Sequence, residues 1–340
     1  MAPTLFTSLK LGRHTLQHRI VLAPMTRFRS DDNGVVLPYV ADYYAQRSTP
    51  GGLLVTEGTL ISSTAGGYPK VPGIYSNEQI AKWKQVTKAV HDKGGIIYLQ
   101  IAHAGRATTS KLSPNGEQPV SASPIAIQGV NMLGQQNEVP RALEIPEIKA
   151  LIQDFRQAAL NAVEAGFDGV EIHAANGYLL DQFINTSSNK RTDMYGGSIE
   201  NRTRFALEVV DAIADAIGPD RTAIRFSPWS GFQDMQDDTP IETWGYIVSQ
   251  LQARHPDLAY VHFSEPRGPF ISSGGYSVDT KLAFDRAAKT GDLISFGRAY
   301  TANPDLVERL RNGWPLTCYN RSTFYTGGTE GYVDYPSYQP

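Results

Sequence analysis

The stretch EIHAANGYLLDQFI, which runs from Glu171 to Ile184, holds a histidine, an asparagine and a tyrosine close together. His173 and Asn176 can both donate a hydrogen bond to one oxygen atom, as the donors of an oxyanion site do. Tyr178 can serve as a proton donor. A buried histidine followed by an Asn-Gly turn is more often structural. The position of these residues after the apolar run GVEI, at the end of a predicted strand, favours a catalytic site.

Two glycine-containing sites near the end of the chain are candidates for binding an anion. Gly274 and Gly275 follow one apolar run, and Gly297 and Arg298 follow the next. Backbone N–H groups free of side chains can surround a phosphate, and an arginine can bind it with two parallel hydrogen bonds. A plain turn is the alternative for the glycine pair. The two sites together lie where phosphate sites are frequent in (β/α)8 barrels.

Three other polar residues at apolar runs suggest what would carry such a phosphate. Thr26 offers a hydroxyl, Gln100 offers both a donor and an acceptor, and Arg225 offers a fixed positive fork. A flat heterocycle with carbonyl groups and ring nitrogens would use all three. Because flavin mononucleotide (FMN) combines such a ring with a phosphate, these residues predict an FMN site.

The elements that must position these side chains are predicted from hydrophobic patterns. Apolar runs that are nearly continuous indicate parallel strands buried on both faces. Helix patterns that end at a glycine cover 76–90, 144–165 and 198–217, and further candidate helices are 239–251, 277–288 and 304–310. Eight strands with interleaved helices predict a (β/α)8 TIM barrel. The predicted strands are 20–26, 53–59, 96–103, 169–175, 222–228, 259–265, 269–275 and 293–299.

A doubly wound sheet is the alternative fold, but no GxGxxG or GxxxxGK[ST] motif follows any predicted strand. The barrel prediction has one gap, because Glu265 to Phe270 joins the sixth and seventh strands almost directly. Parallel neighbours need a crossover of about a dozen residues or more. Either a helix is missing there or one strand is misplaced. Residues 1–19 are predicted to form a hairpin cap, and 104–143 a long loop after the third strand, within a single domain of 1–340.

Composition excludes several classes of function. The chain has 340 residues, 41% hydrophobic and 19% charged, with a formal net charge of -3. A mildly acidic chain gives no electrostatic basis for binding nucleic acid or an anionic membrane. No apolar run approaches about 18 residues, which argues against a membrane span. Cys318 is the only cysteine, so no internal disulfide or cysteine-based metal site is expected, and the predicted compartment is the cytosol.

A set of motifs in a fixed order runs the length of the chain. The motifs are APMTRFRS at Ala23, TEGTLIS at Thr56, GGYPKVPGIYS at Gly66, YLQIAHAGR at Tyr98, EIHAANGYLLDQFI at Glu171, NKRTDMYGGSIENRTRF at Asn189, IRFSPW at Ile224, SFGRAYTANPDL at Ser295 and TFYTGGTEGYVDYP at Thr323. Together they resemble the old yellow enzyme family of flavin-dependent ene-reductases, in its classical fungal-like type. The resemblance implies an FMN-binding (β/α)8 barrel, in agreement with the strand count.

The resemblance also implies a role for each candidate residue. His173 and Asn176 would bind the carbonyl oxygen of an α,β-unsaturated substrate, Tyr178 would protonate its α-carbon, and Tyr325 would line the pocket mouth. Arg225 would place positive charge beside the flavin. The remaining residues would contact non-covalently bound FMN, at its ring or at its phosphate: Pro24, Met25, Thr26, Gly58, Gln100, Gly274, Gly275, Gly297 and Arg298.

The implied reaction is the reduction of the activated C=C bond of an enone or enal, with NADPH as the reductant. Two alternatives remain: a pathway-specific reductase or isomerase of one secondary metabolite, of alkaloid type, and a flavin-binding protein without turnover. Ala102 stands where many classical members have tryptophan, which predicts a wider pocket. A small-molecule substrate and a monomer or homodimer in the cytosol complete the expectation.

Overall fold

The computed structural model describes residues 4–131, 133–264 and 271–339. Eight of its strands pair side by side, all parallel, and close into a ring. Within the described residues this is the (β/α)8 barrel that the sequence predicts, and all eight predicted strands are present. The ring consists of β3 (Ile20–Leu22), β4 (Leu53–Val55), β6 (Ile96–Ala102), β9 (Gly169–Ala174), β10 (Thr222–Phe226), β11 (Tyr260–Ser264), β12 (Ile271–Ser273) and β13 (Leu293–Phe296).

The predicted hairpin cap is confirmed at the amino-terminal end of the barrel. The strands β1 (Leu9–Leu11) and β2 (His14–Leu16) pair antiparallel. Leu11 and Leu16 are buried in the same apolar cluster as the lower side chains of the barrel interior, among them Tyr98. Because that cluster fills the interior from below, the polar residues of the barrel are left at its carboxyl end.

Helices cover the outer face of the barrel, and their apolar stripes form the larger core with the outward side chains of the strands. Polar caps start the long helices where the sequence predicts them, for example at Ser76, whose side chain accepts a hydrogen bond from the Gln79 N–H. The helices are α1 (Val40–Gln46), α2 (Asn77–His91), α3 (Ile145–Glu164), α4 (Leu179–Ile184), α5 (Ile199–Ile217), α6 (Pro240–Arg254), α7 (Thr280–Thr290), α8 (Arg298–Ala302) and α9 (Leu306–Asn312). None of the helices in the described part of the chain combines the length and the apolar character that crossing a bilayer requires.

The remaining short strands belong to loops above the barrel. β5 (Thr59–Leu60) lies beside β6, and β7 (Val120–Ser121) pairs with β8 (Arg141–Ala142) inside the long loop after β6. β11 and β12 are parallel neighbours, with Ser264 opposite Ser273. The sixth and seventh barrel strands are therefore placed correctly by the sequence. Their connection, 265–270, lies outside the described residues, so the structure does not test whether a helix is missing between these strands.

Candidate active site

A cavity opens at the carboxyl end of the barrel and collects side chains from five strands and the loops that follow them. Eight of the residues predicted for the site line it together. They are Pro24, Thr26, Gly58, Gln100, His173, Asn176, Tyr178 and Arg225. We call this group the side-chain half of the site.

A tight turn after β9 brings the predicted catalytic residues to one wall. Asn176 and Gly177 have φ values of 57° and 73°, a left-handed conformation that asparagine and glycine tolerate best. Buried acceptors hold the turn, because the Gly177 N–H donates to Asp181 Oδ2 at 2.8 Å and the Asn176 N–H donates to Ser227 Oγ at 2.7 Å. The turn therefore directs the residues on either side of it into the same cavity.

His173 is a neutral hydrogen-bonding group in this cavity. Its side chain is buried, and burial, helped by the nearby charge of Arg225, lowers the pKa of His173 to about 3. Its Nδ1 atom is inaccessible and has no hydrogen-bond partner among the described residues. The imidazole therefore carries one proton near neutral pH and can donate it in a hydrogen bond without charging the site.

Tyr178 packs its ring edge-on against His173, with 4.8 Å between the ring centroids. Burial raises the pKa of Tyr178 well above its ordinary value, and the neighbouring phenol of Tyr68 raises it further. The Gln233 amide also interacts with both phenols. Tyr178 consequently remains protonated and is available as an acid at neutral pH.

Gln100 and Arg225 face the cavity from below with defined orientations. The Gln100 side-chain N–H donates to Glu171 Oε1 at 2.7 Å, so its amide oxygen is directed toward Gly58. Arg225 Nη2 donates to Ser264 Oγ at 3.2 Å, whereas its buried Nε has no partner within the described ranges. The cavity floor thus offers one acceptor and one cation to a planar ligand.

The predicted anion-binding residues form a second group, which we call the glycine half: Gly274, Gly275, Gly297 and Arg298. Gly275 has a φ of 69°, and a Cβ atom added there would meet no other atom within 4 Å. Gly274, Gly275 and Arg298 are exposed. None of the four lines the cavity of the side-chain half. The two halves are joined through Met25, whose sulfur would lie 3.1 Å from a Cβ atom at Gly297.

Tyr325 and Met25, like the glycine half, do not line the cavity. The Tyr325 side chain is exposed and its ring lies 5.3 Å from that of Phe28. Its phenol is close enough to Tyr178 and Tyr68 to influence their pKa values. Tyr325 therefore lies at the rim above the catalytic wall.

Several residues of the site were not assigned from the sequence. Tyr68 lines the cavity opposite Tyr178, together with Leu60, Gly67, Val71 and Ala104. The motif GGYPKVPGIYS that contains Tyr68 was part of the family resemblance, so a signal existed, but its position over Tyr178 depends on the fold. Ala102 also lines the cavity and leaves room there.

Comparison with known proteins gives consistent results. Residues 4–269 match the model of the NADH:flavin oxidoreductase / NADH oxidase family. The chain is 47% identical to 12-oxophytodienoate reductase 1 of Oryza sativa subsp. japonica, over 98% of this chain and 92% of that protein. It is 46% identical to chanoclavine-I aldehyde reductase of Penicillium roqueforti, over 97% of this chain and 95% of that protein.

Two solved structures are similar over nearly the whole chain. Morphinone reductase in complex with tetrahydroNAD has a TM-score of 0.93 and 42% identity, over 99% of this chain and 98% of that one. The old yellow enzyme homologue from Zymomonas mobilis has a TM-score of 0.91 and 37% identity, over 98% of this chain and 99% of that one.

Proposed function

The chain belongs to the NADH:flavin oxidoreductase / NADH oxidase family, in its old yellow enzyme branch, and we propose that the two halves of its site bind one FMN. It is an FMN-dependent oxidoreductase that uses NAD(P)H to reduce the activated C=C bond of unsaturated compounds. The observation that carries the residue assignment is the cavity itself. It places two neutral donors, His173 and Asn176, beside a protonated phenol, Tyr178.

The residues present fit FMN. The buried Nε of Arg225 lacks a partner within the described chain, and the Gln100 oxygen faces the cavity, so a ring with carbonyl and N–H groups would satisfy both. Thr26 and Gly58 line the same wall. The exposed amides at Gly274 and Gly275, with Arg298, suit a phosphate. We therefore assign Pro24, Met25, Thr26, Gly58, Gln100 and Arg225 to the ring, and Gly274, Gly275, Gly297 and Arg298 to the phosphate.

FMN held by Gln100, Arg225 and the glycine half would supply the hydride chemistry, from the nicotinamide by way of N5 to the β-carbon of the substrate. His173 and Asn176 donate hydrogen bonds to the carbonyl oxygen of that substrate, which gains negative charge as the hydride arrives. Donors aimed at developing charge in a site shielded from water are usually the largest catalytic contribution. Because His173 is neutral, it stabilises this charge without becoming an acid that competes with Tyr178.

Tyr178 completes the reduction by giving its phenolic proton to the α-carbon. Its raised pKa keeps the proton in place until the enolate forms, and the nearby amide of Gln233, which acts to lower that pKa, can stabilise the phenolate that remains. A positioned acid of this kind contributes roughly 10²–10⁴ in rate. Tyr325, at the rim, is assigned to the substrate as a wall residue.

The finer features of the function are proposals as well. We propose NADPH as the reductant, with NADH as the alternative that the family description and the tetrahydroNAD complex favour. We also propose one domain spanning 1–340, monomeric or homodimeric, in the cytosol. Two relatives are named for reducing one compound each, chanoclavine-I aldehyde and morphinone. These names, with the space that Ala102 leaves, support the second candidate, a reductase or isomerase of one secondary metabolite of alkaloid type.

An anaerobic titration of the purified protein tests the proposal. The visible flavin band should bleach on addition of NADPH and return on addition of 2-cyclohexenone. A band that bleaches but never returns would contradict enone reduction and favour a flavin-binding protein without this turnover. A protein that takes up no FMN would contradict the assignment of both halves. Equal reduction rates with NADH would remove the proposed preference for NADPH.

A further inference from the structure

A layer of polar side chains lies inside the barrel, directly below the side-chain half. Glu171 precedes His173 by two residues on β9, so both point to the same face and Glu171 lies roughly 7 Å deeper. It pairs in register with Gln100 on β6. The carboxylate and the imidazole of His262, on β11, are both completely buried. The catalytic residues proposed above do not include either group.

The hydrogen bonds of this layer fix the proton positions. Glu171 Oε1 accepts from the Gln100 side chain at 2.7 Å, and Glu171 Oε2 lies 2.9 Å from His262 Nδ1. Because an ionised carboxylate only accepts, Nδ1 must carry the proton. His262 Nε2 then accepts from the Ser273 hydroxyl, 2.7 Å away, and Ser273 in turn contacts Ser295.

Among the described residues, the charge in this layer is limited to one anion and one cation. Burial alone would raise the pKa of Glu171, but His262, Arg225 and Gln100 together bring it below its ordinary value. Burial lowers the pKa of His262, and the attraction of Glu171 only partly offsets this. Glu171 is therefore ionised and His262 neutral near pH 7. Arg225, on the adjacent strand β10, is the charged neighbour of Glu171.

We propose that Glu171, held by His262, is a positioning residue for the cofactor: it directs the Gln100 oxygen into the cavity and offsets the charge of Arg225 below the flavin ring. This inference rests on the proposed FMN site. The consequence would be a lower midpoint potential of the bound flavin than Arg225 alone would give. A cation below the ring favours the reduced, more negative flavin, and the buried carboxylate opposes that preference.

The substitution Glu171→Gln tests the negative charge of Glu171 separately from its hydrogen bonds. A glutamine at this position can still accept from Gln100 and can donate to His262 Nδ1, if the imidazole moves its proton to Nε2 and donates to Ser273. The hydrogen bonds are thus retained while the negative charge is removed. We expect reduced FMN to gain about tenfold in affinity relative to oxidised FMN, which raises the midpoint potential by about 30 mV.

The test measures the midpoint potential of bound FMN by dye equilibration, together with the dissociation constant of oxidised FMN. His262→Leu is the second variant, because Glu171 without its donor takes up a proton more readily; we expect a rise of about 15 mV, or threefold. Asp154→Asn is the matched control. It neutralises a half-buried carboxylate on α3 outside this cavity and should leave the potential unchanged.

The outcomes separate this inference from the function it rests on. Wild-type protein that binds no FMN would overturn both. Wild-type and variant proteins that bind FMN at the same potential, within about 5 mV, would overturn the role of Glu171 alone. A shift in Glu171→Gln equal to that in the Asp154→Asn control would do the same, since it would reflect total charge rather than position. If Glu171→Gln does not fold, an unchanged potential in His262→Leu decides against the proposal.

Discussion

The side-chain half of the site consists mainly of buried side chains with fixed hydrogen bonds, whereas the glycine half presents exposed backbone. Gln100 is held by Glu171, and the turn at Asn176 is held by Ser227 and Asp181. At the glycine half, Gly274 and Gly275 lie in a turn with positive φ values, their carbonyl groups accept hydrogen bonds from backbone N–H groups that follow, and Arg298 is exposed. One half is organised before a ligand arrives, and the other is open to solvent.

This difference implies a division of labour. Side chains with fixed geometry act on the charge that develops during a reaction, because they need no reorganisation at that moment. The exposed glycines and arginine are proposed to hold a phosphate, which does not change during the reaction. Substitutions in the side-chain half should therefore alter rates, and substitutions in the glycine half should alter affinity for FMN. The following predictions begin with the largest expected effect.

Tyr178→Phe should have the largest effect. It removes the proposed acid but keeps the ring packed against His173, so the rate at which an enone reoxidises the reduced flavin should fall by roughly 10²–10⁴. Reduction of the flavin by NADPH should be nearly unchanged. Stopped-flow absorbance measures the two half-reactions separately. Unchanged reoxidation by 2-cyclohexenone would show that another group donates the proton.

Asn176→Gly should have the next largest effect. Glycine adopts the φ of 57° without strain, so this variant removes the side-chain donor and preserves the turn. Loss of one such donor lowers kcat by roughly 10²–10³. Steady-state reduction of 2-cyclohexenone measures it, with circular dichroism as the control for folding. A change confined to KM would instead indicate that Asn176 binds the substrate equally well before and during the reaction.

Arg298→Ala tests the glycine half. A hydrogen bond to a charged group contributes about 1.5–3 kcal/mol, so affinity for FMN should fall roughly ten- to a hundredfold. At saturating FMN, kcat should match that of the wild type. Fluorescence titration of the FMN-free protein gives the dissociation constant, and Arg254→Ala, at an exposed ion pair on α6, is the matched control. A lower kcat with unchanged affinity for FMN would contradict the assignment of Arg298 to the phosphate.

The sequence predicted the barrel well, because long elements carry repeated signals. Each of the eight strands is an apolar run, and five of the six predicted helices have a capping side chain or a glycine stop. The helices that it did not predict are α1, α4 and α8, which are five to seven residues long. All six residues of α4 are buried, so it has no polar face and no amphipathic period to detect.

The site was predictable only in part, for a related reason. Residues of the side-chain half follow strands, and the ends of parallel strands meet wherever the ring closes. The contributions of Tyr68 and Glu171 depend on partners far away in the chain. Tyr68 acts on Tyr178, and Glu171 is held by His262, 91 residues later. No local pattern encodes such pairs, although Tyr68 and Glu171 each lie within a motif of the family resemblance.

The smallest predicted effect concerns acid sensitivity, which we expect at the carboxyl end of the barrel because His173 in the side-chain half and His103 beside it are buried and neutral. His103 follows β6, and burial lowers its pKa to about 3. Below about pH 6.5 the unfolded chain binds a proton at this residue and the folded chain does not. Folding stability therefore decreases as the pH is lowered from about 6.5 to about 3. Burial raises the pKa values of Glu57 and Asp181 to about 7, and these two residues contribute the opposite slope.

His103→Asn separates these contributions, because both carboxyl groups remain in the variant and cancel in the difference. The asparagine oxygen can replace His103 Nδ1, which accepts the Gly105 N–H at 3.0 Å. We expect the wild type to lose about 1.4 kcal/mol more than the variant for each pH unit between 6 and 4.5. Urea unfolding across that range measures the difference. Parallel pH dependences would mean that His103 is protonated in the folded protein, and the acid sensitivity of the side-chain half would then lie with His173.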